Sequence, residues 1–143
     1  MAHSKLVVGS YTVDFHGDKK YTVRWALEQY EEGIINDVNN TRHVIADEGI
    51  NLLEIEVLAQ VITSELGGKS ADKYIFDTIL PALNLLGDLT TGTLTLELNT
   101  GQLVATGWVL NSQIERFVES GIEVIEVGFT FLCDQMPTHS GLT

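Results

Sequence analysis

Residues 93–110 read TLTLELNTGQLVATGWVL. Leu94, Leu96 and Leu98 alternate with Thr93, Thr95 and Glu97, a period of two that puts the apolar side chains on one face of a strand. Asn99-Thr100-Gly101 supplies residues that tolerate a tight reversal, and 102–110 returns as a second strand. The stretch predicts a hairpin with one wet and one dry face.

The same alternation recurs on both sides of it. Downstream, 122–133 (IEVIEVGFTFLC) places Ile125, Val127, Phe129 and Phe131 on one parity, and upstream 53–61 (LEIEVLAQV) does so with Leu53, Ile55, Val57, Ala59 and Val61. A helix competes over 52–66, since Leu52, Ile55, Ala59, Ile62 and Leu66 also fall at three-four spacing, but the β-branched content favours a strand. Near the N-terminus, 6–15 (LVVGSYTVDF) aligns Val7, Tyr11, Val13 and Phe15, and 21–27 (YTVRWAL) aligns Tyr21, Val23, Trp25 and Leu27. HGDKK between them carries a Gly-Asp turn signal, so these two runs are predicted to form the first hairpin.

Between the strands, 70–88 reads as the one long helix. Ser70 is an N-cap candidate, Asp72 suits the positive N-terminal end, and Gly87 stands where a C-terminal cap would. Ile75, Phe76, Ile79, Leu80, Leu83 and Leu86 make its expected apolar face, and Pro81 predicts a kink or two shorter pieces. Residues 28–51 lose all periodicity and read as a long loop, yet keep the apolar pairs Ile34-Ile35 and Val44-Ile45. A loop of that length in a compact domain points to a segment that orders against a neighbour. Residues 111–121 read as a further loop holding at most one short turn, and 134–143 as a flexible C-terminal tail. The sum is a single mainly β (α+β) domain over 1–143: a β-sandwich or barrel of six or seven antiparallel strands with one flanking helix.

Composition narrows function. Eight Lys and Arg against 20 Asp and Glu give a net charge of -12, which opposes a phosphate-binding surface. Cys133 is the only cysteine, so no intrachain disulfide forms. No apolar run is long enough to span a membrane, and MAHSKLVVGSYTVDF lacks the pattern of a signal peptide, so the expectation is a soluble protein assembled in the cytoplasm.

Reactive constellations are sparse. His3, His16, His43 and His139 lack ligand spacing, and the GGKS of 67–70 lacks the first glycine of a phosphate-binding loop, Thr63 standing in its place. Cys133 at a strand end reads as an apolar filler. The carboxylate pairs Glu54 with Glu56 and Glu123 with Glu126 read first as solvated faces, and Trp25, Trp108, Tyr11 and Tyr21 first as core. The expectation is a protein with no enzymatic activity, no cofactor and no metal.

TLTLELNTGQLVATGWVLNSQ, followed by ESGIEVIEVGFTFL, resembles the C-terminal half of phage tail tube proteins, and more distantly the Hcp-type tubes of contractile injection systems. Gly101 and Trp108-Val109 carry the match, while Gly107 stands where a small residue such as alanine is usual in that family. The layout is similar as well: an N-terminal hairpin, a long loop, one helix and closing strands.

The resemblance implies a structural subunit of the virion tail, a homo-oligomer of stacked hexameric rings built in the host cytoplasm, touching sheath or other tail proteins and no membrane. DNA would pass through the lumen without specific binding. On that reading Ile34, Ile35, Val44 and Ile45 belong to an inter-ring stacking loop, and Asp14, Glu54, Glu56 and Glu97 are candidates to face the lumen, where like charge repels phosphate. Two alternatives stand beside it. One is a tail terminator, baseplate or connector component of the same fold; the other is a small-ligand-binding β-barrel with Trp25, Trp108, Phe129 and Phe131 around a pocket.

Overall fold

In the computed structural model, which describes residues 3–25, 53–88 and 90–143, the run read as one strand over 6–15 doubles back at Gly9-Ser10. Strands β1 (Ser4–Val8) and β2 (Tyr11–Phe15) pair antiparallel from Ser4 opposite Phe15 to Val8 opposite Tyr11. Gly9, at φ 58°, takes the left-handed position that an alternating pattern does not announce. The reversal also resets the phase, so Leu6 and Val8 join Val13 and Phe15 in the core while Val7 turns away.

His16 alone separates β2 from β3 (Gly17–Trp25), which pairs with β4 (Leu53–Ile62) and not with β2. The HGDKK segment is therefore a corner where one extended chain changes partners, a correction to the hairpin expected there. Over 53–62 the strand wins over the helix, with Leu53, Ile55, Val57, Ala59 and Val61 all buried on one parity.

After a short 3-10 turn (Thr63–Glu65) and Gly67-Gly68, one helix, α1, runs over 71–87. The Ser70 hydroxyl accepts the Lys73 N–H at 3.1 Å, the cap read from the sequence. Pro81 does not split the helix. A widened π turn over Ile75–Ile79 precedes it, relaxing the ladder just where proline removes a donor and crowds the preceding turn. The extra residue rotates the later turns, so Ala71, Tyr74, Ile75, Ile79, Ala82, Leu83 and Leu86 face the core, and the expected core residues Phe76 and Leu80 are exposed.

Strands β5 (Gly92–Glu97) and β6 (Gln102–Glu119) form the opening hairpin as read, with Leu94 opposite Ala105 and Glu97 opposite Gln102. β6 then continues for 18 residues, so 111–121, expected as a loop, is strand paired with β7 (Ile122–Cys133). Ser120 (φ 54°) and Gly121 (φ 80°) make the two-residue reversal, both at the positive φ that matches strand twist. Residues 134–143, expected as a loose tail, lie against the sheet: β8 (Thr138–Ser140) pairs with Gln102, Leu103 and Val104.

The strands make one antiparallel sheet in the order β2-β1-β5-β6-β7-β4-β3, with β8 beside β6. Its ladder is open, but β2 and β3, at its two ends, are consecutive in the chain, so the sheet folds over on itself. The Phe15 ring from one end stacks on Phe129 from the other half, centroids 5.9 Å apart. β6 serves both halves: 102–107 pairs with β5, and 107–119 with β7. Helix α1 and the two inner faces share one core.

Candidate functional site

Within the half-sheet β6-β7-β4-β3, strand parity assigns every side chain to one of two faces. The inner face carries Ile55, Val57, Val127, Phe129 and Phe131 and is buried against β2 and the helix. The outer face carries Arg24, Glu54, Glu56, Gln60, Glu126, Thr130, Asn111, Gln113 and Glu115, set in rows by the register of the four strands. Gly128 leaves a dent in the middle of that face, and a trough of about 400 Å³ runs over it between Lys20, Glu56, Leu58, Asn111, Gln113 and Thr130.

Charge on this face is partly compensated. Arg24 Nε donates to Glu54 at 2.9 Å and its terminal nitrogen to Glu56 at 3.3 Å. The Glu54 hydrogen bond, ahead of Coulomb attraction, holds the Arg24 guanidinium above its ordinary pKa. Glu115 and Glu126 stand directly opposite each other on β6 and β7, an arrangement of like charges that strand pairing ordinarily avoids. Periodicity did not single out Glu115, because 111–121 had read as loop.

The four acidic candidates share the outer side of the sheet but not one neighbourhood. Glu54 and Glu56 are together on β4, Glu54 buried beneath Arg24 and Glu56 half-exposed. Asp14 lies on β2 opposite Lys5, and Glu97 ends β5 opposite Gln102, its N–H donating to the buried Ser4 hydroxyl at 2.9 Å. Glu123 and Glu126, three residues apart on a strand, face opposite ways; Glu123 pairs with Arg116. Ile34, Ile35, Val44, Ile45 and the loop over 28–51 lie outside the described residues.

The aromatic residues do not converge. Phe129 and Phe131 are on the inner face, Trp108 pairs across from Leu132 on the outer face, and Trp25 is half-exposed at the end of β3. Burial pushes the Cys133 thiol up to about 11, which keeps it protonated at neutral pH. Among the described residues no three His, Cys, Asp or Glu side chains are grouped to hold a metal ion, and no helix is long and apolar enough to cross a membrane.

Two strand edges complete the picture. On the side away from β7, residues 110–119 of β6 meet no strand among the described residues, and neither does the side of β3 away from β4. Both edges carry exposed apolar side chains: Tyr21, Val23 and Trp25 on β3, Leu110 and Val118 on β6. No protein family, curated protein or solved structure matches the chain.

Proposed function

We propose that this protein is a non-catalytic structural subunit that assembles with identical copies into rings, stacked as in a phage tail tube, around an acidic bore that DNA traverses. The single observation carrying this reading is that both edges of one four-stranded half-sheet meet no further strand among the described residues. Because β6, β7, β4 and β3 alternate in direction, β3 and β6 run opposite ways. The β3 edge of one copy can therefore continue antiparallel into the β6 edge of the next with both copies in the same orientation. That is a head-to-tail contact, which closes into a ring when the rotation permits and removes both edges.

In such a ring the inner face is already occupied by the second half-sheet and the helix, so the outer face would line the bore. Glu56, Glu115 and Glu126 would then present carboxylates to the passing polyanion, and like charge keeps it from adhering. The Glu115–Glu126 juxtaposition suits a surface selected for its field as well as its stability.

Negative-stain electron microscopy over a protein concentration series, with mass by light scattering, tests the reading. Hollow rings or tubes are expected, and a double variant with Val23→Lys and Val118→Lys, one charge on each edge, should remain a folded monomer. A monodisperse monomer of the unaltered chain at every concentration rejects the proposal.

A further inference from the structure

His16 is the only residue between β2 and β3, at the corner where the sheet folds over. Its backbone N–H donates to the Gln60 carbonyl at 2.8 Å, and its ring nitrogen Nδ1 accepts the Ile62 N–H at 2.9 Å. The second bond has a consequence for protonation. Ile62 pairs with Val124 of β7 on one side, while β3 has no residue beyond Gly17, opposite Gln60, to serve the other. The imidazole stands in for the missing strand, and it can do so only with Nδ1 unprotonated and the ring hydrogen on Nε2.

We propose that His16 is a proton-operated latch: neutral, it ties the β2–β3 corner to the end of β4, and on protonation it releases the Ile62 amide and loosens the joint between the two half-sheets. An imidazolium has N–H at both ring nitrogens, so Nδ1 then faces the Ile62 N–H donor to donor, and one must move. The groups around the ring are mixed in sign. His3, from the segment leading into β1, meets His16 edge-on at 5.2 Å between centroids, and its Coulomb effect opposes charging of the His16 ring. Asp14 on β2 and Glu65 in the 3-10 turn favour it.

Partial burial, followed by His3, outweighs the two carboxylates and lowers the His16 pKa below its ordinary value of 6.5. A folded-state pKa below the unfolded one means the unfolded chain binds more protons in the window between them. The latch thus contributes its full stability above about pH 6.5 and loses it as pH falls towards the folded value.

The test is nuclear magnetic resonance on the full chain between pH 8 and pH 5. At pH 7.5 the nitrogen shifts of His16 should report the Nε2–H tautomer. Exchange of the Ile62 amide, corrected for intrinsic rate, should rise at least about tenfold as the His16 ring titrates. In His16→Asn, whose side-chain oxygen can occupy the Nδ1 position without titrating, that rise should vanish, and it should persist in His3→Gln. An Nδ1–H tautomer at pH 7.5, constant Ile62 protection through the ring titration, or an undiminished rise in His16→Asn would each overturn the proposal. These readouts are made on any assembly state, so their outcome is separate from that of the ring reading.

Discussion

The two halves of β6 belong to one unbroken strand and live in different chemistry. Over 102–107 it has β5 on one side, with β8 beside 102–104 and β7 beside 107 on the other, and Ala105 is nearly inaccessible, at 2%. Beyond the irregularity between Val109 and Asn111 its strand partner among the described residues is β7, and Val118 is 65% exposed. The near half is spent on the protein's own core. On the proposed reading, the far half offers a neighbouring copy the backbone donors and acceptors that no described strand meets.

Breaking the near half should have the largest effect. At Gly107 the chain passes Leu132 so closely that a Cβ would land on the Leu132 carbonyl oxygen, a backbone atom fixed by the ladder. Gly107→Ala should therefore destabilise the fold by about 3 kcal/mol or more, seen as a lower denaturant midpoint. There is no room for a methyl group at this position.

A smaller loss is expected from Ser4→Ala. The Ser4 hydroxyl accepts the Glu97 N–H and pins the end of β5, so its removal should cost about 1 kcal/mol in the same assay. Tyr74→Phe should cost a comparable or lesser amount, about 0.5–1 kcal/mol, because the Tyr74 oxygen accepts the Asp14 N–H at a longer 3.3 Å.

The far half should respond in the opposite sense. Val118→Lys should change monomer stability by less than about 0.5 kcal/mol, since the side chain packs against little. Its effect should appear instead in light scattering, as a shift of the assembly midpoint to higher concentration. If Val118→Lys unfolded the chain while leaving assembly of the folded fraction intact, the contrast between the halves would fail.

Much of the sheet was legible because burial imposes period two on a strand that has one dry face. β4, the β5–β6 hairpin and most of β7 obey it: the residues the alternation marks in these strands are buried, joined by Glu54, Thr95, Val124, Thr130 and Leu132 of the other parity, which the pattern does not mark. The far half of β6 was not legible, for the converse reason: NSQIERFVE is wet on both faces, so nothing in it distinguishes strand from loop. Phe76 and Leu80 were assigned inward because a helical wheel cannot anticipate a π turn. The turn at Gly9-Ser10 was hidden because Val7, Tyr11, Val13 and Phe15 share one parity across it, although the reversal puts Leu6 and Val8 in the core instead of Val7. Of the acidic candidates, their shared outer side followed from parity, but the burial of Glu54 beneath Arg24 joins residues 30 apart and needed the β3–β4 pairing.

By itself, then, the sequence determined that this is an acidic, mainly β chain with one capped helix, because alternation, turn residues, capping and net charge act over a few neighbouring residues or over the whole composition. Only the tertiary structure decided that HGDKK is a corner, that β6 outruns its partner β5, and that His16 serves Ile62. Each of these depends on which distant strand lies alongside, and hydrogen-bond partners brought together by folding leave no period in the chain.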